Sequence, residues 1–427
     1  MNIKEFRVPI NQLLFALFIT SGLPGITYYS IFFESVDPSL KLSLYIGSMV
    51  VREFITLLLG IKITLILIKK LNSSYFKYRT LVLFSPLLSI ILLALFDFNI
   101  VLLGTGIRFY ILFSLPLVVF EDQENLNFRR NIYINDFIVY VYLVLNFMSL
   151  IIGHADFAQS GYTDTFLGVR YPFIFDNPVI AAQQFGVFLL YLNFRMIISK
   201  RFFEKTRFLI TSFIVLYLTL YTGGRAGLVV AMLVTISTTI IYFFPKIKYM
   251  FLTPKKVENK LFTLGTLFSF ALVSLVISSN PLISGRAKTI IQYQESGLYG
   301  VGESRIGIFT DFLNESRLEN IIFGKPGKGT NTACNNVISD YKSDECKKTD
   351  SAFTSSLISF GIIGILFYLV TLIKILNVSY SPLMGITFIV YSLAQIFPEL
   401  ILPWTQFVLI LFHSNQYKLH KLKNFSK

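Results

Sequence analysis

Arginine is the residue type best placed in this chain to do chemistry. The turn Tyr221-Thr222-Gly223-Gly224-Arg225-Ala226-Gly227 sets a guanidinium at the start of an apolar helix, where free backbone amides also attract anions. That combination suits a phosphate at the level of lipid headgroups; an arginine that merely anchors the helix at the interface is the plainer alternative. Arg170 is the one basic residue of the segment 154–177. Arg286 and Arg305 lie in Asn280 to Asp350, the only long polar segment of an otherwise almost continuously apolar chain. Arg52 and Arg108 fall inside apolar runs, with Glu53 beside the first. Charges so placed are costly in lipid and tend to face a partner or a polar cleft.

The elements that must hold these residues follow from composition. The chain has 427 residues, 54% of them hydrophobic, and apolar stretches of near-spanning length recur throughout. Spans are expected near 8–33, 42–68, 80–97, 99–120, 132–153, 178–198, 208–223, 226–245, 261–279, 350–373, 383–397 and 401–413. The last two are short and interrupted by Pro398 and Pro403, which leaves eleven as the alternative count. The expected fold is therefore all-α: a polytopic integral membrane helix bundle of about twelve transmembrane helices forming one domain over 1–427. The first apolar run has a basic start but no clear small-residue cleavage site, and reads as a retained helix.

Basic residues orient the bundle. With a cytoplasmic N-terminus, the inner segments and tails collect 22 of the 38 Lys and Arg residues, whereas the short outer loops hold only Lys41, Arg170 and Arg225. Both termini are thus expected in the cytoplasm, with 154–177 as one outer loop and 280–349 as a large, partly helical extracytoplasmic loop. The formal charge of +14 is explained by this orientation and calls for no nucleic-acid partner. For the embedded bases Lys62 and Arg195, ion pairing or snorkelling is expected. For Arg52 and Arg108, lining a polar cleft is the equal alternative, and since neighbours on a helix point about 100° apart, Arg52 and Glu53 need not pair.

Cys334 and Cys346, the only cysteines, share the large loop and could close a disulfide in an oxidising compartment; two buried, unrelated thiols are the alternative. Three His and no ligand cluster argue against a metal centre. Gly324 to Thr330 imitates a phosphate-binding loop, but glycine follows Lys328 where Ser or Thr is required. Phe360-Gly361-Ile362-Ile363-Gly364 reads as small-residue packing inside the bundle.

Several blocks together resemble the O-antigen polymerase and ligase superfamily: RYPFIFDNPVIAA before one span, TGGRAGLVVA after another, then ESRIGIF, IIFGKPGKG and TDSAFTSSLISFGIIG. Their order and spacing match over roughly 165–365, and Gly297 follows Arg286 at the spacing described for the polymerase branch. Ala181 occupies the equivalent position after Arg170, a departure from that branch.

The resemblance implies a metal-independent, cofactor-free glycosyltransferase of the bacterial cytoplasmic (inner) membrane, with its active site facing the periplasm or exterior. It would pass a growing glycan from undecaprenyl diphosphate to the terminal sugar of another lipid-linked repeat unit, building O-antigen, capsular or exopolysaccharide. A flippase and a chain-length regulator are the implied partners. In that reading Arg170, Arg225, Arg286 and Arg305 would meet the diphosphate, whose developing charge a planar guanidinium can stabilise. Asp350 would take the proton of the acceptor hydroxyl, with His154 as the second candidate, although Asp before a helix is also a common N-cap. Ligases of the superfamily tend to carry His where this chain has Asp350, which favours the polymerase. A ligase and a lipid-linked glycan transporter are the alternatives, and Glu399, beside Pro398, is the nearest candidate for a transporter's embedded acid.

Overall fold

The computed structural model describes residues 9–29, 37–71, 78–96, 100–118, 128–152, 171, 173–175, 178–222, 224–244, 318–325, 351–394 and 397–425. These residues form α1 (Ile10–Tyr29), α2 (Pro38–Leu71), α3 (Tyr78–Phe96), α4 (Ile100–Val118), α5 (Phe128–Ile152), α6 (Pro178–Ile198), α7 (Phe202–Thr222) and α8 (Arg225–Phe243). They continue with α9 (Leu318–Phe323), α10 (Ala352–Val378), α11 (Pro382–Ala394), a 3-10 turn (Phe397–Glu399) and α12 (Ile401–Phe425). There is no strand among the described residues, so the all-α expectation holds. Eleven of the expected spans coincide with helices, and the span expected at 261–279 lies outside the described residues.

Among the described residues, four helical stretches are long and apolar enough to cross a membrane: Ile132–Ile151, Pro178–Ile198, Ala226–Phe243 and Ala352–Val378. Ile10–Ile26, Leu102–Val118 and Pro382–Ala394 are shorter apolar helices. The surface agrees with a membrane protein. Along α2 the side chains of Leu40, Leu44, Val50, Phe54, Leu57 and Ile61 point outward, and along α7 so do Ile210, Phe213 and Ile214. In water such a belt would be untenable, whereas lipid tails solvate it.

Some boundaries differ from expectation, for a physical reason. Helix α2 is 34 residues long, roughly 50 Å at the usual rise, and outruns an apolar layer of about 30 Å. Helix α7 starts six residues earlier than its apolar stretch, and α12 continues to Phe425 through Lys418, Lys421 and Lys423. Hydropathy locates the part of a helix that needs lipid, and intrahelical hydrogen bonding carries the helix on past it.

The interior is more polar than the rim. Helix α6 is buried along nearly all its length and packs on α7, α8 and α12. Its Asn193 donates from Nδ2 to Thr238 Oγ1 on α8 at 2.9 Å and accepts from the Tyr380 hydroxyl at 3.1 Å. Arg195 clamps Asp136 of α5 with two bonds of 2.9 Å, and the Tyr191 hydroxyl donates to the same carboxylate at 2.7 Å. The ion pairing expected for Arg195 is therefore present; in a dry bundle such polar ties fix which helix faces which.

Backbone groups are satisfied with the same economy. Pro116 in α4 has no N–H, so it cannot serve the carbonyl of Leu112 one turn earlier. The indole of Trp404 on α12 takes that place, donating to Leu112 O at 2.8 Å from a fully buried position. This bond joins two helices far apart in sequence and supplies a donor where water cannot.

Trp404→Phe is accordingly expected to cost about 1–3 kcal/mol, the penalty for leaving a buried carbonyl unsatisfied. Pro116→Ala, which restores the local N–H, should remove most of that cost in the double variant. Thermal unfolding of the four proteins in detergent measures the coupling; strictly additive shifts would show that the Trp404 indole does not serve the Leu112 carbonyl.

Candidate functional site

Asp37 begins the construction of the site. Its carboxylate accepts from the Ser39 hydroxyl and, at 3.3 Å, from the Leu40 N–H, capping α2. These bonds, Ser39 first, hold the exposed Asp37 carboxyl below the usual carboxylate range. From that cap α2 runs down alongside α1 and carries Arg52 and Glu53 into the bundle.

Arg52 and Glu53 do pair, contrary to what their angular separation alone suggests. Arg52 Nη2 and Nε lie 2.8 and 3.1 Å from Glu53 Oε1, because both side chains are long enough to fold toward one another around the helix. Arg108 of α4 reaches the same oxygen at 3.4 Å. Glu53 is thus bracketed by two guanidiniums, and Glu399, in the 3-10 turn, lies within electrostatic reach of Arg108. Glu53 is 41% exposed, so this pairing organises the site more than it stabilises the fold.

Arg52 and Glu399 line a cleft of about 160 Å³ between the end of α1, the middle of α2 and the start of α12. Ser21, Tyr45, Phe175 and Pro403 contribute to its walls. The lining role open to Arg52 is therefore realised, whereas Arg108 acts from behind, through Glu53.

One wall of the cleft comes from a turn that hydropathy did not reveal. Phe173, Ile174 and Phe175, the end of the segment read as an outer loop, are buried in the bundle. The N–H of Ile174 reaches Asn146 Oδ1 at 3.5 Å, and Phe175 stacks on Tyr142. Phe173 has φ of 58°, a rare backbone for a bulky residue, held in place by its burial against Phe185. Gly25 lets α1 approach this turn, since a Cβ there would sit 2.5 Å from the Ile174 carbonyl.

A second local feature lies across α4. Helix α10 is interrupted at Gly361, where φ is +62° and ψ is −148°. The short helix α9 docks on that break: Lys325 N–H donates to Ile358 O at 2.8 Å, and Gly324, itself at φ +70°, lies against the backbone of Phe360 and Gly361. Positive φ and backbone contact on both sides make glycine the residue that fits at each position. The block expected as simple small-residue packing is thus a broken helix with a partner inserted against it. Phe360 stacks on Phe109, the residue after Arg108, which places the break at the depth of the arginine cluster.

Most residues singled out from sequence lie outside the described residues: Arg170, Arg286, Arg305, Asp350, His154, Cys334 and Cys346. Their neighbours are informative. Tyr171 N–H donates to Tyr221 O at 2.9 Å, tying the residue after Arg170 to the turn that leads to Arg225. Arg225, described through its backbone, opens α8, and the cap position is Gly224, which has no side chain to satisfy the first amides. At α10 the N-cap is Ser351, whose hydroxyl accepts from Thr354 N–H and donates to Ser392 O at 3.1 Å. The capping role considered for Asp350 therefore belongs to the next residue.

No protein-family model matches the chain, and neither does any curated protein or any solved structure.

The docking of α9 is testable through its glycine. Gly361→Ala would set a methyl 2.4 Å from the Ile322 carbonyl group and hold alanine at positive φ, an expected cost of about 2 kcal/mol or more. A thiol introduced as Lys325→Cys should then react with a maleimide several-fold faster than in the Gly361 background. Equal labelling rates would mean that α9 does not depend on the break.

Proposed function

We propose that this protein is an integral membrane glycosyltransferase of the repeat-unit polymerase type, with about twelve spans and both termini in the cytoplasm. It joins undecaprenyl-diphosphate-linked repeat units on the outer face of the bacterial cytoplasmic membrane. The observation that carries the reading is the pairing in space of the blocks that bear the family resemblance. RYPFIFDNPVIAA packs on TGGRAGLVVA: Gly227 leaves no room for a Cβ, which would lie 2.5 Å from the Ala182 backbone, and Tyr171 bonds to Tyr221, the residue just before the second block. IIFGK packs on SLISFGIIG through the Lys325–Ile358 bond and the facing glycines. Backbone contact within each pair of blocks distant in sequence supports reading them as parts of one site.

In this reading the reaction needs positive charge where the diphosphate departs and a base where the acceptor hydroxyl attacks. Arg225, beside α8 amides that no side chain caps, is one arm of the diphosphate site, with Arg170 adjoining Tyr171 as another. Arg286 and Arg305 complete it from the large loop, and Asp350 takes the hydroxyl proton, with His154 as the second candidate. The carbon–oxygen bond to the diphosphate breaks as the acceptor oxygen bonds to the anomeric carbon, so no metal or cofactor is required by the balance of the step.

A lipid-linked glycan transporter is the second reading, favoured by the interruption of α10 at Gly361 and the insertion of α9 against it. Discontinuous helices at that depth are a recurrent device of transporters. A deletion strain separates the two. Loss of the polymerase should leave single repeat units exposed on the outer face, whereas loss of a transporter traps the precursor on the cytoplasmic face. Arg225→Ala, Arg305→Ala and Asp350→Ala should each reproduce the single-unit phenotype, scored by polysaccharide banding. Long chains persisting in the deletion would overturn the polymerase assignment, and wild-type banding from Asp350→Ala would remove that residue as base.

A further inference from the structure

We infer that the cleft between α1, α2 and the Phe397–Glu399 turn is a sugar-binding subsite, which holds the hydroxyl-bearing end of the acceptor unit; this inference rests on the polymerase reading for the identity of that acceptor. Charge decides the class of ligand. The cluster contains two guanidiniums, Arg52 and Arg108, and two carboxylates, Glu53 and Glu399, so it carries no net charge. A diphosphate would need uncompensated positive charge and would meet Glu399 directly in the cleft wall. A polyol has the opposite requirement: acceptors for its O–H groups and donors for its oxygens, with no net field. Glu399 supplies the former and Arg52 the latter.

The remaining walls fit the same ligand. Half-buried Tyr45 brings apolar ring surface to the wall, Phe175 backs it from a position buried against Tyr142 and Phe185, and the Ser21 hydroxyl, which donates to Leu17 O at 2.5 Å, keeps lone pairs for accepting. The volume of about 160 Å³ corresponds to about five waters at their share of the liquid, room for the six-membered ring of one sugar with its substituents directed to the open side. Arg52 is only 13% exposed and oriented by Glu53, so its donors are set before a ligand arrives. Phe175 and Ile180 of the cleft wall sit at the start of α6, where Ala182 packs against Gly224 and Gly227 at the start of α8, so the cleft lies near the end of α8 at which the donor's diphosphate is proposed to bind.

The chain contains one tryptophan, and it is well placed to report occupancy. Trp404 follows the cleft residue Pro403 and packs edge-on against Phe397, which opens the turn carrying Glu399. Purified full-length protein in detergent can therefore be titrated with methyl glycosides of hexoses, 6-deoxyhexoses and N-acetylhexosamines, and separately with inorganic pyrophosphate. A saturable fluorescence change is expected with at least one glycoside at roughly millimolar concentration, and none with pyrophosphate. Glu399→Gln and Arg52→Gln should each weaken the response about tenfold or more, with Ser21→Ala, at the same wall, as a milder variant in case either fails to fold. A response to pyrophosphate alone, no response to any glycoside, or undiminished binding by the folded variants would overturn the assignment. Membranes assayed in parallel with extracted lipid-linked repeat units keep the two readings apart. Chain growth without a glycoside response would sink the cleft inference alone, and a glycoside response without chain growth would sink the polymerase alone.

Discussion

The carbonyl oxygens released where a helix is interrupted are the constraint on which this bundle depends. In an apolar layer no water can take over a freed backbone acceptor, and at two interruptions a donor from elsewhere in the chain takes its place. Pro116 releases Leu112 O, and Trp404 claims it; Gly361 breaks α10, and Lys325 N–H claims Ile358 O. Both donors come from elements far away in sequence. The interruptions thus act as sockets, and each specifies one partner that fits.

The polar interior follows the same logic. Asn193, Thr238, Tyr380, Asp136, Tyr191 and Arg195 satisfy one another across α5, α6, α8 and the turn between α10 and α11, while the outward faces of α2 and α7 stay apolar. In water the hydrophobic effect would drive apolar side chains to the centre. In lipid it provides little preference between centre and rim, and polar groups that need partners gather inside. The arginine and glutamate cluster obeys this rule with one difference. Asp136 and Arg195 close on each other completely, whereas Glu53 is shared between two bases and Arg52 and Glu399 also face a cavity. A closed pair is structural, and an open one can receive a ligand.

What the sequence disclosed, and what it withheld, divides along the range of the interaction. Helices were legible because apolar run length and local hydrogen bonding produce them, and the cost of an embedded charge made a partner for Arg195 foreseeable. The burial of Phe173 to Phe175 was hidden, since the segment shares its chain neighbourhood with polar residues and its pocket is built by Asn146, Tyr142 and Phe185. The break in α10 was hidden for a related reason: Gly361 and Gly364 serve equally well for close helix packing and for a left-handed interruption, and only the arrival of Lys325 distinguishes them. Ser351 and Asp350 are adjacent and both competent caps, so composition could not choose between them. The cleft residues Ser21, Tyr45 and Glu399 come from three distant parts of the chain, and only Glu399 carried a signal, its place between Pro398 and an apolar helix. The diphosphate arginines proposed from the family resemblance remain chiefly a sequence inference, with Tyr171 and the α8 start as their structural neighbours.

The two candidate regions, the cleft and the break in α10, are not independent, because one stretch of α4 touches both. Arg108 reaches Glu53 behind the cleft, Phe109 stacks on Phe360 at the break, and Leu112 O receives Trp404, whose neighbour Pro403 lines the cleft. These contacts fall within about one and a half helical turns, a segment too short to bend separately under each of them. Helix α4 therefore joins the two regions through packed contacts: Phe360, beside the break, bears on Phe109, and the adjoining Arg108 reaches Glu53. Close-packed interiors pass displacements on instead of absorbing them. Helix α9, the break it docks on, α4 and the Arg52–Glu53 pair thus form one continuous chain of contacts between the two regions.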